Sequence, residues 1–195
     1  MAVSLPTQCS VALKEWATVV EAMARGKQLV LIRKGGLIEP GSGFAVQAET
    51  FVFYPTFEHQ AVQYLRPEFT GYFDAAQGRR VPGGTVGFEL IGHAVASWST
   101  HDATIVSRLR GVHIYNEAFL TQRLKWQPEQ PLMIVLVRAW RLPQAVQVVA
   151  QPQYAGCKSW VELEVAIPLT GATPILDEAR FQEHRLAVNA LLGSR

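Results

Sequence analysis

The hydrophobic positions of this chain switch repeatedly between helical and extended spacing. Over residues 11–25, Leu13, Trp16, Ala17, Val19, Val20 and Met23 share one arc at about 100° per residue, with Lys14, Thr18, Glu21 and Arg25 opposite. Ser10 before this stretch and Gly26 after it are natural caps, so an amphipathic helix docked on a sheet is predicted there. Residues 28–34 then read as a central strand, with Leu29, Leu31 and Arg33 on one face and Val30, Ile32 and Lys34 on the other. Gly35 and Gly36 open a glycine-rich loop that runs to Gly43.

Residues 44–46 and 49–54 have strand character and could pair as a hairpin that Pro55 closes. Thr56 can cap a short helix over 57–65, ended by Pro67. Residues 67–87, with five glycines, two prolines and Arg79-Arg80, read as a long surface excursion. A strand follows over 88–98 and a helix over 100–109, capped by Thr100 or Asp102. After an extended piece at 112–115, Asn116 caps a helix over 117–126. The near-continuous apolar run 132–142 predicts a central strand buried on both faces, with 146–150 as a hairpin partner. Residues 154–163 form a turn and an extended piece, and Thr173-Pro174 opens a terminal helix to Leu192, stopped by Gly193. Residues 1–9 read as a loose leader.

Strands and helices alternate irregularly, without a βαβ series. The expected fold is therefore α+β: one domain over 1–195, with a mixed or mostly antiparallel sheet that could curl into a small barrel, and flanking helices. Composition supports a packed core: 49% of residues are hydrophobic and 17% charged. No apolar run approaches the roughly 20 residues of a membrane helix, and the N-terminus lacks the pattern of a signal peptide. Two cysteines, Cys9 and Cys157, cannot make a disulfide framework, so a cytoplasmic setting without a membrane is expected. The net charge of +2 is too small to argue for nucleic acid. Between Asp102 and Arg141, however, six cations face three carboxylates.

Two side chains break the apolar pattern. Glu58 falls within the arc of the 57–65 helix, and Arg123 within the arc formed by Phe119, Leu120, Leu124 and Trp126. A buried unpaired charge costs several kcal/mol, so each needs a partner. They could form an ion pair that fixes helix orientation, or join one polar cluster with Arg33 or Arg138. A ligand pocket lined by Arg33, Glu58, His59 and Arg123 is the functional form of the same idea. Arg33, Lys34, Gly35 and Gly36 also suit an anion, through backbone N–H groups and two cations, although the Walker A spacing is missing. Tyr54, Trp126, Trp140, Tyr154 and Trp160 could stack bases or fill the core.

Metal chemistry finds little footing. The nuclease pattern of an acidic residue, any residue and a lysine is missing; Glu162-Leu-Glu164 lacks the lysine. His93, His101, His113 and His184 have no metal-ligand spacing, and no cofactor is expected. Cys157 beside Lys158 could be an activated thiol, but a turn cysteine fits as well.

Several segments together carry a family likeness. They are Leu-Lys-Glu-Trp at 13–16, Ile-Arg-Lys-Gly-Gly at 32–36, Phe-Tyr-Pro-Thr-Phe-Glu-His-Gln at 53–60, His113, Phe119-Leu120 with Arg123 and Trp126, and Tyr-Ala-Gly-Cys-Lys-Ser-Trp at 154–160. In order and spacing the chain resembles domain-of-unknown-function family 1802, common in cyanobacteria, over residues 11–163, with the tail from Pro168 outside. The resemblance implies a hint of DNA-related work, through fusion to or proximity with restriction-endonuclease domains, and no catalytic residue. The expectation is an accessory domain without enzymatic activity that binds nucleic acid or a nucleotide-like anion through Arg33, Lys34, Gly35, Gly36, Glu58, His59, Arg123 and Arg138. The alternatives are a metal-dependent hydrolase or nuclease using Glu58 and His59, and a module that makes only protein contacts.

Overall fold

The computed structural model describes residues 3–34 and 47–193. Its elements in chain order are β1 (Gln8–Trp16), α1 (Ala17–Ala24), β2 (Val30–Lys34), β3 (Thr50–Thr56), α2 (Thr70–Gly78), β4 (Thr85–Thr100), α3 (Ala103–Arg108), α4 (Glu117–Lys125), β5 (Leu132–Val149), β6 (Trp160–Pro168), β7 (Thr173–Pro174) and α5 (Glu178–Leu192). The described strands make one mixed sheet in the order β2-β5-β4-β3-β1-β6, with β7 added against β5. The pairing of β1 with β3 is parallel, and the other pairings are antiparallel. The sheet is open and not closed into a barrel, and helices flank it, as an α+β fold requires.

Alternation along the strands divides the apolar side chains between two clusters. Phe51 and Phe53 join one, with Leu13, Leu90 and Phe119 of α4, while Val52 between them joins the other, with Ala12, Phe88, Trp140 and Tyr154. β5 is the strongly apolar interior strand that the sequence predicts, paired with β2 on one side and β4 on the other. Residues 146–149 continue the same strand instead of turning back, and pair with the start of β4. β4 passes two register shifts on the way, which bend this long pair.

Several expectations are corrected. The helix predicted over 11–25 is a strand followed by a short helix. A strand at 8–16 gains ladder partners on both sides, β3 and β6, and this tertiary gain overrides the local periodicity. The leader is shorter than expected, because β1 begins at Gln8 and Cys9 is buried. Gly26 does end α1 in the left-handed region, at φ +65, and its N–H donates to the Met23 carbonyl. Thr18 and Glu21, expected on a solvent face, are buried: Thr18 donates to the Gln60 side chain, and Glu21 pairs with Arg79 at the end of α2.

β2 is real but lies at an edge of the sheet, not its centre. Pro55 sits inside β3, opposite Glu15 of its parallel neighbour, and does not end the strand. The helix predicted over 57–65 is absent; only a single 3₁₀ turn, Val62–Tyr64, forms there. Residues 67–87 carry α2, docked on α1, rather than an irregular excursion. Thr173–Pro174 is a strand, and the terminal helix starts later, where the Asp177 side chain accepts from the Arg180 N–H. The caps at Asp102 and Asn116 form as expected, accepting from Thr104 and Phe119. Gly35, Gly36 and the strand expected at 44–46 lie outside the described residues.

Candidate ligand cleft

The parallel pairing of β1 and β3 sets Lys14 beside Tyr54, Glu15 beside Pro55 and Trp16 beside Thr56. Successive side chains on a strand point to opposite faces, so Lys14 and Glu15 enter different surroundings.

Lys14 faces a cleft of about 640 Å³. Its ammonium donates to the Gly156 carbonyl at 3.0 Å and lies 5.4 Å from the centre of the Tyr54 ring. Partial burial lowers the pKa of this amine, and the nearby Glu58 carboxylate works against that shift. Burial likewise raises the Tyr54 phenol, with the negative charge of Glu58 adding to it. Tyr54 rests edge-on against Phe88 at 5.8 Å. Tyr154 closes the floor, its hydroxyl accepting from the Glu164 N–H at 2.8 Å.

The opposite wall comes from the end of α2 and the turn into β4. Arg79 is held between two carboxylates, Glu21 at 2.9 Å and Glu89 at 2.6 Å. Arg80 lies 5.4 Å over the Phe57 ring and forms no ion pair among the described residues. Lys14, Arg79 and Arg80 therefore share the cleft with Glu21, Glu58 and Glu89.

Glu15 points the other way and is buried. Its Oε2 lies 3.5 Å from Arg33 Nε, and its Oε1 accepts from the Trp16 N–H. Arg33 also donates to the Lys14 carbonyl. Around this pair Tyr115 stacks on Phe119 at 3.8 Å, and Trp16 meets both edge-on. Arg123 completes the cluster through ring contacts, 5.0 Å from Phe119 and 5.9 Å from Trp16. Burial drives the Tyr115 phenol well above its ordinary range.

The sequence-predicted site is thus divided. Arg33 pairs with Glu15, and Arg123 rests on the Trp16 and Phe119 rings, so the carboxylate on this side is Glu15 and not Glu58. Glu58 is exposed at the cleft because no helix forms around it to present a buried arc. His59 beside it is exposed, with a left-handed backbone at φ 63. The Lys34 ammonium is turned inward and donates to the Leu124 carbonyl at 2.7 Å, so it is not offered to an anion. Arg138 is committed to Glu178 at 2.5 Å and to the Trp140 and Phe181 rings, and so ties α5 to the sheet. Of the aromatic candidates, Trp140 and Tyr154 are buried in the core, whereas Trp126 is exposed.

Lys14, Arg79 and Arg80 line the cleft without being among the residues that the sequence singles out for a site. The signal for Lys14 was its place in the run Val-Ala-Leu-Lys-Glu-Trp, which becomes a strand facing a cleft only once β3 lies beside it. Among the described residues no three His, Cys, Asp or Glu side chains are placed to hold a metal ion, and no helix is long and apolar enough to cross a membrane.

The model of the domain of unknown function DUF1802 matches residues 12–187. The chain belongs to this family. The DUF1802 match takes in β7 and most of α5, so the tail from Pro168 lies largely inside the family domain, contrary to the narrower sequence likeness. No curated protein matches. Among solved structures, the crystal structure of a point mutant of the ZmASCH protein from Zymomonas mobilis is similar over 76% of this chain and 92% of that one, at 16% identity and a TM-score of 0.39. A likeness at that score decides neither architecture nor ligand.

Proposed function

We propose that this DUF1802 domain is a binding module without enzymatic activity that takes a phosphate-bearing, nucleotide-like ligand, foremost a segment of single-stranded nucleic acid, in the cleft over β1 and β3. One observation carries the reading. Two cations of this cleft each lie beside an aromatic ring, Lys14 by Tyr54 and Arg80 by Phe57, both at 5.4 Å. Phosphates are drawn by such cations, and bases by such rings. Arg33 and Lys34 belong to this proposal as the supports of β1 and of α4 behind the cleft, since both donate to backbone carbonyls.

The proposal takes residues 1–195 as one domain, because a single sheet carries both apolar clusters. A cytoplasmic setting goes with it, in keeping with two free cysteines, one buried and one exposed.

The test is fluorescence anisotropy with short labelled RNA and DNA oligonucleotides at low and physiological salt. Binding that weakens with salt and falls in Lys14→Ala and Arg80→Ala, but not in Arg180→Ala outside the cleft, supports the reading. No binding to RNA or DNA at low salt removes it.

A second reading, a hydrolase using Glu58 and His59, is favoured by Glu58 lining the same cleft and acting on the Lys14 ammonium. Strand cleavage in the same assays, with and without added divalent metal and lost in Glu58→Gln, would replace the first reading.

A further inference from the structure

The cleft carries an unused acceptor beside a cation. Glu58 lines it, is exposed, and makes neither hydrogen bond nor ion pair among the described residues. The Lys14 ammonium close by makes one hydrogen bond, to Gly156, which leaves two of its three donors open. Both side chains reach the cleft from the β1–β3 pair: Lys14 stands beside Tyr54 in the register, and Glu58 follows just past the end of β3, where its charge acts on the Lys14 ammonium.

The remaining cations of the cleft are supplied from the α2 side. Arg79 and Arg80 come from the end of α2, and Arg79 is already shared between Glu21 and Glu89. A phosphate would be repelled by Glu58 and drawn to Arg80, whose charge no carboxylate neutralises among the described residues. The base would then be left to face Glu58 and Lys14.

A carboxylate and an ammonium that line one cleft can present two acceptors and a donor to one edge of a ligand. The Watson–Crick edge of guanine is the complement: two adjacent N–H donors, at N1 and N2, followed by the O6 acceptor. Cytosine and adenine each offer one exocyclic amine to a carboxylate, flanked by a ring nitrogen acceptor. Uracil and thymine place their single N–H between two carbonyls, which would face the carboxylate charge.

Resting on the nucleotide-binding reading above, we infer that Glu58 and Lys14 form a base-recognition site that selects guanine and rejects uracil or thymine. The carboxylate accepts from N1–H and N2–H, while the ammonium donates to O6. Arg80 holds the phosphate and contributes affinity without distinguishing bases. No covalent step is involved.

The test measures binding of GMP, AMP, CMP and UMP to the full chain by isothermal titration calorimetry, in the wild type and in Glu58→Gln, Glu58→Ala and Arg80→Ala. GMP should bind at least about tenfold more tightly than UMP, as expected for a two-point contact to one base edge. Glu58→Gln should cut that preference to roughly threefold or less while UMP affinity holds or rises, since the carboxylate no longer repels the carbonyls. Arg80→Ala should weaken all four together. Equal affinity for GMP and UMP in the wild type, or a preference unchanged in both Glu58 variants, overturns the inference and leaves the binding function standing. Failure of every mononucleotide and every oligonucleotide to bind overturns both. Glu58 is exposed and outside every helix and strand, so its variants are expected to fold, which a thermal melt confirms.

Discussion

Arg79 reaches from the end of α2 to the buried carboxylate of Glu21 on α1, Nε to Oε2 at 2.9 Å, and so locks the two helices together. Arg25, one turn along α1, holds the other carboxylate oxygen at 2.6 Å. Glu21 is sealed while both arginines are about half exposed. The two sides of the pair therefore differ in what their removal leaves behind. Arg79→Met strands a buried carboxylate with one cation, and should cost about 2 kcal/mol, below the full value for a broken buried pair because Arg25 remains. Glu21→Leu leaves arginines that water can solvate, and should cost clearly less. Urea denaturation of both variants checks this; equal losses would mean that the ion pair does not bind the helices.

Gly92 lies opposite Phe51 in the β3–β4 register. A Cβ added there would stand 2.6 Å and 2.8 Å from Phe51 ring atoms and 2.9 Å from Phe53. Both rings are sealed in the core and packed edge-on at 5.2 Å, so neither can yield cheaply. Gly92→Ala should destabilise by about 1–3 kcal/mol, through overpacking rather than backbone strain. A loss below a few tenths of a kcal/mol in chemical denaturation would contradict that packing.

His113 is buried and accepts from the Tyr115 N–H at Nδ1, which fixes its Nε2–H as the donor to Val106. Burial lowers its pKa from 6.5 to about 4. The folded state thus resists protonation more than the unfolded chain does, and the unfolded chain binds the extra proton between these values. The neutral ring's contribution is complete above pH 6.5 and is lost as the pH falls toward 4, amounting to roughly 3 kcal/mol. His113→Gln should lower stability at neutral pH and flatten this part of the stability–pH curve. An unchanged slope in the variant would assign the acid sensitivity to other groups.

Arg80 projects into the cleft without an ion pair among the described residues. Arg80→Ala should therefore leave the melting temperature nearly unchanged and reduce the salt dependence of oligonucleotide binding by about one released counterion. Lys14→Ala should instead lower the melting temperature, because Lys14 bonds the Gly156 carbonyl, and change the salt dependence less than Arg80→Ala does. Anisotropy titrations across a salt series distinguish the two; identical salt slopes in wild type and Arg80→Ala would remove Arg80 from the phosphate contact.

Several features were legible in the residues alone, because local chemistry controls them. The apolar run at β5 reads as an interior strand, Asn116 reads as a helix cap and Thr100 or Asp102 as another, with Asp102 taking that place, and Gly26 takes the left-handed turn expected of it. Arg123 was legible as a charge on an apolar face that needed company, which the Trp16 and Phe119 rings supply, but the partner expected for it, Glu58, stands apart at the cleft.

Long-range contacts settled the rest. Residues 11–16 begin a stretch with helical periodicity, yet the ladder bonds offered by β3 and β6, distant in sequence, make them part of a strand over 8–16. That choice turned Glu15, not Glu58, inward as the partner of Arg33, and it set Lys14 beside Tyr54. A periodicity records which side chains are buried, not which backbone partner buries them. The cleft exists only where strands and helices far apart in the chain meet.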